Sequence, residues 1–399
     1  MAMRSLPKAR IERLHAALSS HVASGDMPGL VAFVNIRGDV TVEAIGTQSF
    51  GGAPMKRDTI FRIASMTKPV TAAATLLLVE ECRLRLDDPV DEFLPELANR
   101  RVLRTPESAV DDTVPAARPI TVRDLLTFTW GFGAVMIWPP RLPIQKAMRE
   151  AGLAPGPDRL EISADEFMRR LGSLPLLHQP GERFLYHTGS EVLGVLIARA
   201  SGQPFDVFLE ERLFAPLGMR DTGFQVPAAK LDRLASAYRM DPESRKLVLF
   251  DDAADSKWSR PPVFASGGGG LVSTVADYHS FQRMLMNKGL HGRERILSRP
   301  SVELMLSDQL TPAQRQGAEI FFGDGKSSWG MGGAVTLRRT DLHTTPGRFG
   351  WDGGYGTSAY IDPAEDVIAI LLTQLMMDSP QAPKVYRDFW TSAYQAIDD

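Results

Sequence analysis

The sequence predicts an α+β fold in which one antiparallel sheet is built from both ends of the chain and flanked by helices. Segments with β-strand patterns lie near the two ends of the 399 residues, whereas helical periodicity and proline-rich connections dominate the middle. A content of 44% hydrophobic and 23% charged residues describes a globular chain with room for two lobes. We therefore predict a sheet domain formed by residues 1–85 and 265–399, a mainly helical domain formed by 86–264, and a catalytic cleft between them.

The N-terminal part of the chain predicts a helix followed by a strand pair. An amphipathic pattern extends from about Ser5 to Ser24, and two β-rich runs follow it in GLVAFVNIRGDVTVEAIGT. The runs meet at Arg37-Gly38-Asp39, where glycine permits the positive φ of a hairpin turn. A further helix is predicted to begin within FRIASMTKPVTAAATLL, at 61–77. The apolar run of that helix closes on Cys82, the single cysteine, which excludes an intramolecular disulfide and predicts a buried, inert thiol.

The rest of the chain supplies the helical lobe and the remaining strands. The glycines at 267–270 are interpreted as a place where backbones approach closely, because no GK[ST] follows them as it would in a phosphate loop. Helical patterns occur in TVRDLLTF, SADEFMRRLG, GSEVLGVLIARASG, PFDVFLEERLF and the C-terminal VYRDFWTSAYQAI, and strand patterns in GGGGLVST, GAVTL, GTSAYIDP and DVIAILLTQ.

Charge and hydropathy exclude two classes of partner. The formal net charge is −3 and no run of Lys and Arg suggests a phosphate-binding surface, so we predict no nucleic-acid partner. The longest apolar stretches, at 72–79 and 367–372, are far shorter than the roughly 20 residues that span a bilayer. The N-terminal segment lacks the continuous apolar core of a secretory signal. These features predict a soluble, cytoplasmic protein without a membrane partner.

Ser65 and Lys68 are the first candidate catalytic residues. Residues three apart on a helix share one face, with Cβ atoms about 5 to 6 Å apart, so a hydroxyl and an amine placed this way can share a proton. The alternative is that Ser65 caps the helix and Lys68 is solvated, since the same SxxK spacing recurs at Ser5 and Lys8. GxSxG, HExxH and CxxC motifs are absent from the sequence and the seven histidines are dispersed, so we predict no metal and no cofactor. His187 alone among them is considered near chemistry, and a packing or surface role is favoured even for it.

Further motifs decide between these alternatives. SMTK is followed by QPGERFLYHTGSEVLGVLIARASG from 179 and by FGWDGGYGTSAY at 349–360, with ITVRDLLTFTWGFG at 120–133 and SGGGGLVSTVADYHSF at 266–281. This combination resembles the serine β-lactamase and DD-peptidase superfamily over residues 30 to 395. Within it, the class C β-lactamases and the family VIII carboxylesterases are the nearest match. The resemblance implies a β-lactamase/DD-peptidase-like fold.

The resemblance also implies roles for individual residues. Ser65 would be the acylated nucleophile, Lys68 its neighbour in the general-base system, and Tyr186 the second base and proton carrier; which of Lys68 and Tyr186 takes the proton stays open. The oxyanion hole would consist of the backbone N–H groups of Ser65 and Gly354. Gly353 and Gly354 would let the substrate carbonyl lie against the strand.

Two departures from the β-lactamase pattern bear on the substrate. Where β-lactamases have Lys-Thr-Gly or a close variant, this chain has Trp351-Asp352-Gly353, which removes a cation that binds the β-lactam carboxylate. Asp352 adds repulsion if it faces the site. Thr188 replaces the Asn of the class C Tyr-x-Asn motif and lacks its amide. Both departures resemble family VIII carboxylesterases, in which a tryptophan at the third motif is a familiar replacement.

The aromatic run FTWGFGAVMIW at 128–138, with Phe128 and Trp130, is a candidate acyl pocket, although a core position is at least as good an interpretation. The sequence thus predicts hydrolysis of small neutral carboxylic esters through an acyl-serine intermediate, with weak β-lactam hydrolysis as a side activity. The alternatives are a β-lactamase or DD-peptidase, an acyltransferase in which an alcohol or amine replaces water, and a non-catalytic ligand-binding relative.

Overall fold

A seven-stranded antiparallel sheet forms the centre of the molecule. The computed structural model describes residues 6–156 and 158–398. The order of strands across the sheet is β11-β12-β13-β14-β15-β1-β2, so strands from the two ends of the chain lie side by side. The strands are β1 Gly29–Ile36, β2 Asp39–Gly46, β3 Phe61–Arg62, β4 Arg101–Leu103, β5 Thr113–Pro115, β6 Ala237–Met240, β7 Leu247–Asp251, β8 Val272–Ser273, β9 Leu290–His291, β10 Glu294–Arg295, β11 Ser327–Trp329, β12 Ala334–Thr336, β13 Phe349–Gly353, β14 Thr357–Asp362 and β15 Val367–Thr373.

Strand β1 joins the two halves of this sheet. All eight of its residues are buried, and it pairs with β15 on one side and β2 on the other. The turn between β1 and β2 consists of Arg37 and Gly38, whose φ angles of 54° and 96° are the positive values that a two-residue hairpin needs. The predicted α+β class, with a sheet drawn from both chain ends, is therefore confirmed.

Helices cover both faces of the sheet. Alternate residues of β1 and β15 pack on α1 and α13 on one face, and on α2 and α9 on the other. The helices are α1 Lys8–Ala23, α2 Thr67–Glu80, α3 Val122–Thr127, α4 Pro143–Glu150, α5 Ala164–Ser173, α6 Thr188–Ser201, α7 Phe205–Leu209, α8 Ala215–Leu217, α9 Val275–Met286, α10 Arg299–Leu306, α11 Pro312–Arg315, α12 Glu319–Phe322 and α13 Lys384–Tyr394, with a π-helical turn at Glu210–Phe214 and 3₁₀ turns at Ala64–Met66, Pro95–Leu97, Ala228–Arg233 and Lys257–Ser259.

The middle of the chain is mainly helical, as predicted, and its helix α6 packs on α2 and α3. The exact boundaries of the two domains remain a prediction. One strand prediction is largely wrong: GGGGLVST contributes only Val272–Ser273, which pairs with Phe61–Arg62 outside the main sheet, because the chain turns into α9 immediately afterwards. The predicted first helix is found at Lys8–Ala23, and its expected start at Ser5 lies outside the described residues.

The prediction that Cys82 is buried is wrong. Helix α2 ends at Glu80, and Cys82 follows in an exposed turn with a φ of 58°. The apolar run that suggested burial ends at Val79, and two glutamates separate it from the thiol.

No single helix among the described residues is both long and apolar enough to cross a membrane. Thr188–Ser201 and Phe205–Leu217 have the length and composition of a membrane span only when they are taken together, and the two segments are bent by 83° relative to each other.

Candidate active site

Ser65 lies in the 3₁₀ turn Ala64–Met66, immediately before α2. Ala64 has a φ of 44°, an unusual value for a residue with a side chain, and such strain clusters at functional sites. The hydroxyl of Ser65 faces a cleft of about 1220 Å³. The start of the helix thus presents the serine to a space large enough for a small-molecule substrate.

Lys68 is fully buried one helical turn after Ser65. Its Nζ donates to the Gly268 carbonyl at 2.6 Å and lies 2.9 Å from Ser65 Oγ and 3.2 Å from His187 Nδ1, both within hydrogen-bond distance. Burial lowers the pKa of Lys68 from 10.5 to about 7, and the negative charge of Glu191 opposes this shift. A substantial fraction of Lys68 is therefore a neutral amine at neutral pH.

The glycines at 267–270 make the contact with Lys68 possible. A Cβ on Gly268 would lie 2.6 Å from Glu191 Oε1, and one on Gly267 would lie 2.3 Å from the Ser190 carbonyl. Only glycine lets this backbone come close enough for its carbonyl to reach the amine. The predicted close approach of backbones is confirmed.

Tyr186 lies on the other side of the amine. Lys68 Nζ is 4.7 Å from the centre of the Tyr186 ring. The Trp351 indole donates a hydrogen bond of 2.6 Å to the Tyr186 hydroxyl. Burial raises the pKa of Tyr186, while hydrogen bonds with Ser65 and Trp351 oppose the rise. Tyr186 is therefore protonated at neutral pH and is linked to the serine.

The structure corrects the interpretation of His187 as a packing or surface residue. Besides its contact with Lys68, His187 Nε2 lies 3.3 Å from Glu191 Oε1. The residue is the centre of a γ-turn, with a φ of 82° and a ψ of −67°, closed by the hydrogen bond from Thr188 N–H to the Tyr186 carbonyl. Burial is the main cause that lowers the pKa of His187, and the cation of Lys68 adds to it. The imidazole is thus uncharged and in contact with the amine.

Ser266 and Glu191 complete the polar group behind the lysine. Ser266 Oγ donates to Glu191 Oε1 at 2.7 Å. Burial alone would raise the pKa of Glu191, but His187, Ser266 and Lys68 together hold it below its usual value. Sequence reasoning missed Glu191. The available signal was its position four residues after His187 at the start of a predicted helix, where the two side chains share a face.

Gly354, the predicted second oxyanion donor, directly follows β13. Among the described residues, neither the Ser65 N–H nor the Gly354 N–H donates a hydrogen bond, and the space beside the Gly354 Cα is open. Gly353 has a different role from the predicted one. A Cβ there would lie 2.3 Å from the Ile63 carbonyl, so this glycine allows the strand to pack on the serine-bearing segment and does not line the cleft.

Asp352 and Thr188 both border the cleft. Asp352 accepts a hydrogen bond of 2.6 Å from Ser358 Oγ, and burial raises its pKa. Asp352 thus borders the cleft with one carboxylate oxygen bonded to β14, and the predicted repulsion of anionic substrates stays a prediction. Thr188 is buried, and its Oγ1 has no hydrogen-bond partner among the described residues.

The prediction that Phe128 and Trp130 line an acyl pocket is wrong. Phe128 is fully buried against Trp329 and Tyr186, with ring centroids 5.1 and 5.8 Å away, and Trp130 lies in the main core. The cleft wall takes only Ala134 and Met136 from this run. Its large apolar side chains come from elsewhere and were missed by sequence reasoning: Leu153, Leu160, Phe167, Phe224, Phe264 and Phe321.

Comparisons with known proteins agree with this geometry. Residues 14–388 match the family described as Beta-lactamase, and the chain belongs to that family. It is similar to Protein Rv1367c of Mycobacterium tuberculosis (strain H37Rv), with 40% identity over 336 residues, 81% of this chain and 79% of that protein. It is also similar to Esterase EstB of Burkholderia gladioli, with 30% identity over 397 residues, 93% of this chain and 92% of that one. The solved structure of EstCE1, a hydrolase with promiscuous acyltransferase activity, is similar with a TM-score of 0.79 at 24% identity, covering 97% of this chain and 99% of that one.

These findings confirm the predicted superfamily and fold, and they support a serine hydrolase. In residues 6–156 and 158–398, no group of three or more His, Cys, Asp or Glu side chains is arranged to hold a metal ion.

Proposed function

We propose that this protein is a family VIII-type carboxylesterase that hydrolyses small neutral esters through an acyl-Ser65 intermediate, without a metal or cofactor. The contact of Ser65 Oγ with Lys68 Nζ at 2.9 Å, in a buried site where the pKa of Lys68 is about 7, carries the proposal. A serine hydroxyl becomes a nucleophile when a base of suitable pKa lies within hydrogen-bond reach. Lys68 meets both conditions at neutral pH.

In the proposed acylation step, neutral Lys68 accepts the proton of Ser65 while Oγ forms a bond to the ester carbonyl carbon. The N–H groups of Ser65 and Gly354 receive the negative charge that develops on the carbonyl oxygen. The bond from carbon to the alcohol oxygen then breaks. Tyr186, which its raised pKa keeps protonated, donates its proton to the leaving alkoxide and regains one from Lys68. In deacylation, the Lys68–Tyr186 system takes a proton from water while the water oxygen forms a bond to the acyl carbon. The bond from this carbon to Ser65 Oγ then breaks, the carboxylic acid leaves, and Oγ receives the proton back.

The third motif supports the choice of neutral substrates. Trp351 places an indole where β-lactamases have a cation, and its N–H is already engaged by Tyr186. A charge-assisted hydrogen bond is worth about 1.5 to 3 kcal/mol, so an anionic β-lactam should bind here roughly ten- to a hundredfold more weakly than at a site with the cation. Neutral esters lose nothing, and the apolar wall that includes Phe167, Phe224 and Phe264 favours their hydrocarbon parts.

The test is a substrate panel combined with mass spectrometry. We expect the wild type to hydrolyse p-nitrophenyl butyrate much faster than nitrocefin, and a quenched reaction to show one acyl group on the peptide that contains Ser65. Ser65→Ala should fold normally and be inactive, because a residue at a helix start contributes a cap of about 0.5 to 2 kcal/mol at most. Full activity of Ser65→Ala would overturn the assignment.

The same panel separates the alternatives. Nitrocefin hydrolysis at least as fast as ester hydrolysis would identify a β-lactamase or DD-peptidase. Faster acyl transfer to an added alcohol than to water would identify an acyltransferase. Failure of a covalent serine probe to label Ser65 would favour a ligand-binding relative. We also propose a cytoplasmic location, which fractionation of the native cell tests.

A further inference from the structure

The Lys68 amine has a specific set of polar neighbours. A neutral amine has two N–H donors and one lone pair, and Lys68 Nζ has three hydrogen-bonding neighbours: the Gly268 carbonyl at 2.6 Å, His187 Nδ1 at 3.2 Å and Ser65 Oγ at 2.9 Å. The Gly268 carbonyl can only accept. If His187 Nδ1 also accepts, both N–H groups are used and the lone pair remains for the Ser65 hydroxyl.

We propose that His187 and Glu191 are a positioning pair that directs the lone pair of Lys68 towards the Ser65 hydroxyl. The inference rests on the proposed function, in which Lys68 is the base. It goes beyond that function because the proposed ester chemistry does not itself require an imidazole. Neither side chain touches the reacting atoms; both act through Lys68.

Glu191 determines which nitrogen of the imidazole carries the proton. Its Oε1 lies 3.3 Å from His187 Nε2, so the carboxylate favours a proton on Nε2, and Nδ1 then keeps its lone pair. Ser266 Oγ fixes the carboxylate from the other side at 2.7 Å. The titratable groups that surround the imidazole are Lys68, Glu191 and Tyr186. With Glu191 ionised, the Nε2–H form is the one compatible with these contacts.

The backbone holds the imidazole in place. His187 occupies the centre of a γ-turn between Tyr186 and Thr188, so its direction is set by the turn. The position that a Cβ of Gly268 would occupy is only 3.1 Å from His187 Cε1, which shows how closely the opposing backbone packs on the ring. A ring enclosed in this way keeps Nδ1 facing the amine.

The kinetic test compares two variants with a control. His187→Phe keeps a ring but has no acceptor, whereas His187→Gln retains one. We expect His187→Phe to lower kcat at least tenfold with KM within about twofold, and His187→Gln to recover most of that loss. His279→Phe replaces another half-buried imidazole, which packs on Phe33 with ring centroids 4.5 Å apart, and should leave kcat unchanged.

The pH profile separates positioning from simple packing. Loss of an acceptor for the ammonium form should lower the pKa of Lys68 further, so the rise of kcat/KM with pH should move to lower pH in His187→Phe. Glu191→Gln keeps an acceptor for Nε2–H but removes a charge that raises the pKa of Lys68. It should therefore also move the rise of kcat/KM to lower pH. Its loss of kcat should be smaller than that of Glu191→Leu, which has no acceptor. Unshifted profiles in both His187→Phe and Glu191→Gln would overturn the proposal.

A measurement without substrate completes the test. Nitrogen-15 NMR of the histidine-labelled wild type at pH 8 should show His187 protonated at Nε2 alone, and a proton on Nδ1 would overturn the proposal even if His187→Phe fails to fold. If the wild type hydrolyses no ester, the proposed function fails while this measurement still reports on the pair. If ester hydrolysis is normal in both His187 variants, the pair fails and the esterase stands.

Discussion

Two buried cations lie six residues apart in this chain and have opposite chemical environments. Arg62 binds the carboxylate of Asp251 and donates to Ser256 Oγ at 2.9 Å. Lys68 has only uncharged hydrogen-bond partners, and the nearby acid Glu191 lies beyond the intervening His187, 3.3 Å from its Nε2. Burial lowers the pKa of both side chains, but only lysine has an ordinary pKa low enough for burial to bring it near 7. A buried cation with a carboxylate partner is thus a structural group, and one without such a partner can become a base.

The largest effects are expected when each cation is replaced by methionine. Lys68→Met should lower kcat/KM by about 10² to 10⁴, the usual contribution of a general base, without loss of stability. Arg62→Met should lower the free energy of unfolding by about 3 to 5 kcal/mol, because Asp251 is left buried and unpaired. Ester kinetics and urea denaturation measure the two effects. Equal losses of stability in the two variants would remove the distinction.

A double-mutant cycle sharpens the description of Lys68. If Lys68 and Tyr186 transfer protons as one unit, Lys68→Ala and Tyr186→Phe should each lower kcat strongly, and the double variant should be little worse than either. If the factors by which the single variants lower kcat multiply in the double variant, the two residues act in separate steps.

The pH dependence is the next effect in size. Because the neutral form of Lys68 is the proposed base, kcat/KM should fall by about tenfold for each pH unit below 7 and level off above it. If kcat/KM instead rose with a pKa near 10, the Lys68 amine would be exposed to water in the working enzyme.

Stability provides a control for the same titration. The pKa of Lys68 is lower in the folded state, about 7, than its ordinary value of 10.5, so the unfolded chain binds more protons between these two values. The wild type should therefore gain stability relative to Lys68→Met as pH rises from 7 to 10.5, and the difference between them should be widest below pH 7.

The smallest predicted effect concerns Trp351. Trp351→Phe removes the N–H that donates to the Tyr186 hydroxyl, and a hydrogen bond of about 0.5 to 1.5 kcal/mol corresponds to roughly two- to thirteenfold in kcat. Trp130→Phe is the matched control, because the Trp130 indole N–H is buried without a hydrogen-bond partner among the described residues. The two variants should differ in kcat, and identical values would show that the bond to Tyr186 does not contribute.

Short-range patterns predicted Ser65, Lys68 and Tyr186, since a helix start and a family motif place them in one cleft. They also predicted the β1–β2 turn, because Gly38 marks it. The position of His187 beside Lys68 was not predictable, since the direction of its side chain depends on a γ-turn that leaves no simple signature in the sequence. Phe128 shows a second limit: an aromatic run does not reveal which of its side chains face the core.

Residues distant in the sequence were the hardest to assign. The bond between Trp351 and Tyr186 joins positions 165 apart, and the sequence, which identified the tryptophan as a substrate-binding replacement for a cation, did not reveal this partner. The apolar cleft wall was missed for the same reason, since Phe167, Phe224 and Phe264 belong to three separate segments that meet only in the folded chain.

The position of β1 between β2 and β15 has a consequence for biosynthesis. The sheet that supports the serine turn is completed only when Val367–Thr373 pairs with Gly29–Ile36, at the opposite end of the sequence. The proposed oxyanion donor Gly354 also lies near the C-terminal end of the sequence. During synthesis, almost the entire polypeptide must therefore leave the ribosome before a functional site exists. Until then, β1 can pair with β2 but has an unpaired edge on the side that β15 later covers. Such an edge is a natural point of action for chaperones and of failure by aggregation.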